Sequence, residues 1–312
     1  MLRVCALAQW AVFATVTTTT AAPALPPVER RAGEERELEI AKGVLMKFCW
    51  IPEGETQVGS PKEEQDYVTK TFFEGKRLNL LDAEMEEVRG RFKTTGFWLG
   101  KYEVTEEQWN VLMGEHPFSF GYKQCPKLPS ESVCWYACAE FANKLSEKWG
   151  LSSRYELSDI KRSRYGVITD AVGKVNNESH GVRPPHEDEW EYACRAGRGN
   201  KRPFYWGDSF DSDHANFNGK FPWDLSKAVV LSEPTVVGSY ESKAKHPWNL
   251  CDMHGNVYEW CDNLYSKETT KRVLRGGSWN ANSWGCRAPL HFVIPPHDRL
   301  EDFGFRVCLA LD

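Results

Sequence analysis

Cysteine is the residue type in this sequence with the widest range of possible chemistry. The chain has 10 Cys among 312 residues, and a cysteine can pair as a disulfide, ligate a metal or act as a nucleophile. No two of them form a CxxC pair. Cys134 and Cys138 are four residues apart, but no histidine stands at a matching spacing, so the pattern does not indicate a zinc site.

The N-terminal segment decides how these cysteines are interpreted. Residues 1–24 have the form of a secretory signal peptide, with a short positive region, an apolar run over 4–16 and a small-residue cleavage site at Ala22-Pro23-Ala24. We therefore expect a secreted or periplasmic protein; the alternative is an uncleaved N-terminal anchor. Cleavage would remove Cys5 and leave nine cysteines, which predicts disulfides and at least one unpaired thiol.

No segment is long enough to cross a membrane as a helix. The N-terminal run is shorter than the roughly 20 apolar residues that a span needs, and no later run is longer. We therefore predict no membrane span in the mature chain.

The histidines form no recognisable catalytic signature. The eight His are scattered, without an HExxH motif or a local triad pattern, and no glycine-rich phosphate loop with a lysine is present. His254 lies in an acidic loop, where a structural role is the simpler interpretation. The net charge of -5 gives no reason to expect a nucleic-acid partner, which would favour a basic surface.

The composition predicts a fold that is rich in loops and held together by aromatic side chains. Hydrophobic residues make up 41% and charged residues 27% of the chain, as in ordinary globular proteins. The 13 Trp stand beside 24 Gly and 17 Pro. Large aromatic side chains can stabilise loops that no sheet surrounds.

The first half of the chain contains most of the predicted strands. Residues 43–60 are expected to form a hairpin around Pro52-Glu53-Gly54, and 96–104 a strand. The charged stretch 61–95 predicts a surface insertion that includes a short helix at Leu78–Val88.

The helices have clearer signals. Thr105 with Gln108 forms a capping box, and apolar residues repeat every four positions through 135–148. Another short helix is expected from His186, and 165–175 is strand-like. Beyond Gly199 we expect no long regular elements.

Several motifs in chain order resemble the formylglycine-generating enzyme, or sulfatase-modifying factor, family. They extend over about 260 residues, and it is their order that makes the resemblance specific. The motifs are Pro52-Glu53-Gly54, Gly100-Lys101-Tyr102-Glu103-Val104-Thr105, Arg183-Pro184-Pro185-His186-Glu187-Asp188-Glu189-Trp190-Glu191-Tyr192, Asp252-Met253-His254-Gly255-Asn256-Val257-Tyr258-Glu259-Trp260, Gly276-Gly277-Ser278-Trp279 and Gly304-Phe305-Arg306.

The resemblance implies an α+β fold: a single C-type-lectin-like domain with little regular secondary structure. We assign this domain to residues 41–312 and expect a linker over 25–40, which is rich in proline and then in charge. The family pattern usually has Leu-Pro-Thr where this chain has Pro184-Pro185-His186, so we expect a locally reshaped loop there.

The resemblance also implies bound calcium, a cation that prefers six to eight oxygen ligands. At the first site the family's ligands match Asp252, Gly255, Val257 and Glu259. At the second they match Asn216 and Phe217, with Asp224 as a further, less clearly aligned ligand. The alternative is an Asp/Asn-rich turn satisfied by water and backbone. Loss of thermal stability with a chelator would support calcium.

The catalytic resemblance is incomplete. The family's enzymes hold copper(I) with two cysteines five residues apart after Gly-Gly-Ser, and thiolates suit this soft metal. Cys286 matches the second cysteine, but Ala281 stands at the first position and cannot ligate a metal. Ser278 matches the family's active-site serine. Cys286 could instead form a disulfide, with Cys194 as one of several possible partners.

Three functions follow from the resemblance. The first is an exported pseudoenzyme that acts as a binding or scaffold module, with a ligand surface at 279–296 and Trp284 and Phe292 as stacking aromatics. The second is an oxidase that converts a sulfatase cysteine to formylglycine, or that uses the same pocket differently. The third is a lectin-like protein with a diversified ligand surface. The expected partner is a sulfatase-like polypeptide, a peptide or a glycan.

Overall fold

The computed structural model describes residues 30–72, 88–114, 125–198, 202–208, 212–219 and 230–310. The predicted signal peptide, nearly all of the helix predicted at 78–88, and Asp224 lie outside these ranges. Within them, no helix is both long enough and apolar enough to cross a membrane.

The first four-stranded sheet brings the early and late parts of the domain together. Its order is β1 (Glu35–Ala41), β2 (Val44–Ile51), β5 (Phe97–Gly100) and β12 (Cys308–Leu309), with antiparallel neighbours. The predicted linker thus ends earlier than expected. In β1, Ile40 is fully buried, while the charged residue before it is exposed. This alternation is the period-2 pattern of a strand.

The hairpin predicted over 43–60 is wrong. β3 (Gly54–Val58) pairs with β4 (Gly90–Thr94) and not with β2. The reason is that β2 is a central strand, and both of its edges already pair, one with β1 and the other with β5.

The charged stretch 61–95 is more than a surface insertion. It contains helix α1 (Lys62–Phe72) as well as β4. Glu64 and Val68 of α1 are fully buried, so this helix packs onto the domain.

The second four-stranded sheet has the order β10 (His291–Ile294), β9 (Arg272–Arg275), β8 (Tyr258–Leu264) and β11 (Phe303–Gly304). β11 runs parallel to β8, and the other pairs are antiparallel. These strands are short, as expected for the chain beyond Gly199. A separate hairpin of β6 (Tyr155–Arg162) and β7 (Ile168–Val175) confirms the predicted strand-like segment.

In the described ranges, the three remaining α-helices form where the sequence predicts them. They are α2 (Glu106–Met113), α3 (Trp135–Lys148) and α4 (Glu187–Cys194). The Thr105 capping box is present: the backbone N–H of Gln108 donates to Thr105 Oγ1 at 3.3 Å, and Gln108 Oε1 accepts from the Thr105 N–H at 3.1 Å. These helices and small sheets confirm the α+β class.

Several tryptophans of the described ranges occupy the interior, as expected. Four of them, Trp109, Trp135, Trp190 and Trp260, are fully buried. Three arginines, Arg275, Arg287 and Arg306, are equally buried and are among the largest interior side chains. The core therefore holds guanidinium groups as well as aromatic rings, and each needs hydrogen-bonding partners to offset its desolvation.

The disulfide prediction is not confirmed, because the nine cysteines from Cys49 to Cys308 are all unbonded thiols in the structure. Eight are buried, while Cys125 is partly exposed. They contact different parts of the core: Cys134 Sγ lies 3.2 Å from the carbonyl oxygen of Ile168, and Cys194 Sγ lies 3.5 Å from His254 Nε2. The possible Cys286–Cys194 disulfide is therefore absent.

Candidate functional site

The Gly276-Gly277-Ser278 segment forms a tight turn directly after β9. Gly276 and Gly277 have φ values of 90° and 76°, a region that favours glycine. A Cβ on Gly277 would lie 2.7 Å from the Cα of Cys286. The turn needs glycine there because the chain folds back directly onto Cys286.

Ser278 stabilises this turn. Its hydroxyl donates to Asp302 Oδ2 at 2.6 Å and accepts from the backbone N–H groups of Asn280 and Ala281 at 3.2 and 3.1 Å. The side chain is fully buried. Ser278 thus has the contacts of a turn-capping residue, since its hydroxyl proton is committed to a carboxylate.

Cys286 lies in a small apolar cluster against which Ala281 packs. The cluster contains buried Phe204, Ala215 and Phe217 together with Cys286, and Ala281 packs against it. Burial raises the pKa of the Cys286 thiol to about 12. Both positions belong to the surroundings of this cluster, where they supply one protonated thiol and one methyl group. These residues do not fit a two-thiolate copper(I) site.

Glu259, the predicted carboxylate of the first calcium site, is already paired with a cation. Its two oxygens accept from Arg306 Nε and Nη2, each at 2.6 Å, and Oε2 also accepts from Trp190 Nε1 at 2.7 Å. Glu259 and Arg306 are both completely buried. Because a guanidinium group takes both carboxylate oxygens, Glu259 does not fit the role of a calcium ligand.

The other members of the first calcium set make local contacts. Asp252 Oδ2 accepts from the Gly238 N–H at 2.6 Å, and burial raises its pKa to about 6. The N–H of Val257 donates to Glu103 Oε1, while the N–H of Gly255 donates to the carbonyl of Gly276. These contacts fix the turn through its N–H groups and the Asp252 carboxylate, and they leave the backbone carbonyls of Gly255 and Val257 untested as calcium ligands.

The second loop retains one oxygen that is suited to a cation. Asn216 is buried; its Nδ2 donates to the carbonyl of Glu233 at 2.9 Å, and its Oδ1 has no hydrogen-bond partner among the described residues. Phe217 lies in the apolar cluster beside Cys286. Within the described ranges, no three or more His, Cys, Asp or Glu side chains are grouped so that they could hold a metal ion.

A buried charge network around Glu191 was not predicted from the sequence. Glu191 accepts from Arg275 Nη2 and Arg89 Nη2 at 2.6 Å each, and from Arg195 Nε at 2.9 Å. Burial alone would raise the pKa of Glu191, but these guanidinium groups hold it well below its usual range. Only the spacing of Glu191 and Arg195, four residues apart along a helix, was visible in the sequence.

His254 has the structural role that the sequence favoured. Its Nδ1 lies 2.7 Å from the carbonyl oxygen of Cys286, which makes Nδ1 the donor, and its Nε2 accepts from the Tyr205 N–H at 3.3 Å. Burial lowers its pKa to about 3. A neutral imidazole with both nitrogens engaged links the acidic loop to the Cys286 segment.

A family model described as a sulfatase-modifying factor enzyme 1-like domain matches residues 39–311. The chaperone protein LppX of Paenibacillus barcinonensis is 29% identical over 196 residues, which is 59% of this chain and 69% of that protein. The inactive C-alpha-formylglycine-generating enzyme 2 of Bos taurus is 31% identical over 134 residues, which is 40% of this chain and 43% of that protein. The chain therefore spans less than half of the bovine relative.

The solved structure of Treponema denticola variable protein 1 has a similar fold. It superposes with a TM-score of 0.62 at 22% sequence identity, and the match covers 88% of this chain and 98% of that one. This similarity supports the fold assignment and carries no information on activity.

Proposed function

The chain belongs to the family of sulfatase-modifying factor enzyme 1-like domains, and we propose that it is a non-catalytic member that acts as a binding or scaffold module. The observation that carries this proposal is that one cysteine, Cys286, and one alanine, Ala281, occupy the two matching positions at the same apolar cluster. A copper(I) site of the family type needs two thiolates, and here the single thiol is buried and protonated at neutral pH.

Two relatives are consistent with this role by name. The bovine protein is called inactive, and the Paenibacillus protein is called a chaperone. Both names are compatible with a non-catalytic module of this family.

The assay for this proposal is incubation of the purified protein with a Cys-x-Pro-x-Arg peptide, copper and oxygen. We expect the peptide mass to stay unchanged, because one thiol cannot hold the metal. Formation of the aldehyde, seen as a change in peptide mass, would reject the non-catalytic role.

A pair of variants makes the assay more specific. Ala281→Cys restores two sulfur atoms at the matching positions, and we expect it to gain copper(I) binding. Ala281→Ser is the matched control, similar in size but without a thiolate. Equal copper binding by the two variants would show that position 281 does not decide metal binding.

We also propose that the ligand surface is the segment 279–296, which presents Trp284 and Phe292. Both aromatic rings are partly exposed, and rings of this kind can stack on a sugar or a peptide side chain. A glycan and peptide array run with the native protein and with Trp284→Ala checks this surface. Binding that is equal in both would exclude Trp284 from the ligand contact.

We propose that calcium binds beside Asn216. The buried Oδ1 of Asn216 lacks a partner among the described residues, and calcium favours amide oxygens. Addition of EDTA should then lower the melting temperature of the native protein but not that of Asn216→Leu. An unchanged melting temperature of the native protein would count against calcium.

The signal-peptide form of residues 1–24 supports export of the protein. Cleavage after Ala24 in an expressing cell would test this.

A further inference from the structure

A cleft lies between the β6–β7 hairpin and the loop that joins β8 to β9. Its volume is about 780 Å³, within the range of small-molecule sites. Neither Cys286, Ala281 nor Ser278 lines it, and its walls bring together Tyr136 of α3, strand β7, the end of β8 and the segment 267–272.

Positive charge dominates the walls of this cleft. Arg154, Lys267 and Arg272 line it together with the carboxylates of Asp262 and Glu268. His186 is the remaining titratable group on the side of α4, and Tyr136 is the phenol on the side of α3. Three cations against two carboxylates leave an excess of one positive charge at neutral pH.

The carboxylate of Asp262 is fully engaged. Its Oδ2 accepts from Arg154 Nε at 3.0 Å and Nη2 at 2.7 Å, and its Oδ1 accepts from the Tyr155 hydroxyl at 2.6 Å. Both N–H groups of Arg154 thus make charge-assisted hydrogen bonds to one oxygen of Asp262, and Tyr155 takes the other oxygen. Asp262 therefore has little capacity left to neutralise a second arginine.

Arg272 is that second arginine. Its guanidinium lies 3.6 Å from the ring centroid of Trp135, and Nη1 donates to the backbone carbonyl of Asp262. The side chain is 5% exposed, its Nε has no hydrogen-bond partner, and no carboxylate of the described chain lies within ion-pair distance of it. Burial lowers the pKa of Arg272, so a counter-anion would stabilise its charged form.

Apolar side chains border the charged floor. Val172 and Leu264 are 50% and 42% exposed on the two sides of the cleft. Ala171, Val175 and Pro296 extend the apolar lining. A ligand that fills this space would carry a negative group toward the arginines and an apolar group toward the rim.

We propose that this cleft binds a carboxylate that bears an apolar group, the chemistry shared by a peptide C-terminus and a free short-chain acid. The inference rests on the proposed binding role and assigns that role a ligand class. Arg272 and Lys267 hold the carboxylate, and Val172 and Leu264 contact the apolar group.

The test uses calorimetric titration of the whole protein with three probes. N-acetyl-L-phenylalanine represents the peptide C-terminus, 3-phenylpropionate represents the free acid, and N-acetyl-L-phenylalaninamide is the uncharged control. We expect at least one acid to bind about tenfold more tightly than the amide, because a charge-assisted contact is lost in the amide. The acid that binds more tightly shows whether the natural ligand is a peptide C-terminus or a free short-chain acid. Equal binding of acids and amide, or no binding of either acid, would overturn the proposal.

Two variants with matched shape locate the binding. Val172→Asp adds a negative charge at the exposed rim, and Val172→Asn is the neutral control of the same size. We expect the aspartate variant to bind the acid about tenfold more weakly than the asparagine variant. Because Val172 is half exposed, both variants should fold. Equal affinities would place the carboxylate elsewhere and overturn the site.

Arg272 is tested by replacement with lysine and glutamine. Arg272→Lys keeps the charge but loses the planar group that stacks on Trp135, so it should retain more affinity than Arg272→Gln, which should lose about tenfold. If both variants lose affinity to the same extent, Arg272 acts only through packing, and its role as the anion contact is rejected. If none of these titrations gives the expected result and the peptide in the aldehyde assay stays unmodified, the cleft is rejected as a ligand site. The non-catalytic role is then unaffected.

Discussion

Glu259 and Asp262 lie three residues apart on β8 but belong to very different surroundings. Glu259 is completely buried and is matched by a single guanidinium, that of Arg306, with Trp190 covering one oxygen. Asp262 borders an open cleft and lies near two guanidinium groups, those of Arg154 and Arg272. The closed pair is neutral and holds the core together. The open cluster keeps a positive excess, which is the property a ligand can use.

The closed pair should be the more costly to disturb. Glu259→Gln leaves Arg306 buried without its charge partner, and we expect a loss of about 3–5 kcal/mol in the free energy of unfolding. Urea unfolding measures this. The double variant Glu259→Gln with Arg306→Met should recover part of the loss. A single-variant loss below about 1 kcal/mol would mean that the pair is not essential to the core.

The open cluster should show a smaller effect on stability and an opposite effect on binding. Asp262→Asn removes the partner of Arg154, and we expect a loss of about 2 kcal/mol in the free energy of unfolding. The same change leaves the cleft more positive, so affinity for N-acetyl-L-phenylalanine should rise. Weaker binding by this variant would indicate that Asp262 itself contacts the ligand.

The stability of the buried core should also be sensitive to acid, through the buried side chain of His246. Burial lowers the pKa of His246 to about 4, against about 6.5 in an unfolded chain. Protons then bind the unfolded state first as the pH falls below 6.5, so stability that is present at pH 7 is lost toward pH 4. Between pH 7 and pH 5, this histidine should account for a loss of about 2 kcal/mol.

The comparison that isolates this contribution uses His246→Gln. The variant cannot titrate, so its unfolding free energy should fall by about 2 kcal/mol less than that of the parent over the same pH interval. Identical pH dependence in urea unfolding would show that other groups cause the acid sensitivity.

The smallest effect concerns thiol reactivity. Iodoacetamide should modify Cys125 in the native protein, because the other eight thiols of the described residues are buried, and burial raises the pKa of Cys286 and Cys194. Peptide mass mapping before and after denaturation checks this. Rapid native modification of Cys286 would show that its pocket opens.

Local patterns in the sequence predicted the helices well. The Thr105 capping box and the four-residue repeat of α3 depend on contacts within one or two turns, so the sequence alone contains them. The hairpin over 43–60 failed for the opposite reason. Its partner choice depended on β1 and β5, which compete for the edges of β2 and could not be recognised as its neighbours.

The candidate site also has features that the sequence predicts and contacts that it does not. The residue types at positions 281 and 286 were enough to predict that the pair of copper-binding cysteines is incomplete. The partners of Ser278 and Glu259 could not be predicted, because Asp302 and Arg306 lie 24 and 47 residues away. The expected disulfides also failed, since whether two thiols meet depends on the whole packing of the core.

The sequence by itself determined the family, the starts of α2, α3 and α4 and the loss of one metal-binding cysteine, because these follow from residue identity and short-range hydrogen bonding. Only the tertiary structure decided which buried charges are neutralised and which remain in excess. Arg306 reaches Glu259, while Arg272 stacks on Trp135 and finds no carboxylate of its own in the part of the chain the structure describes. Electrostatic balance depends on distances through space, and these exist only once the chain has folded.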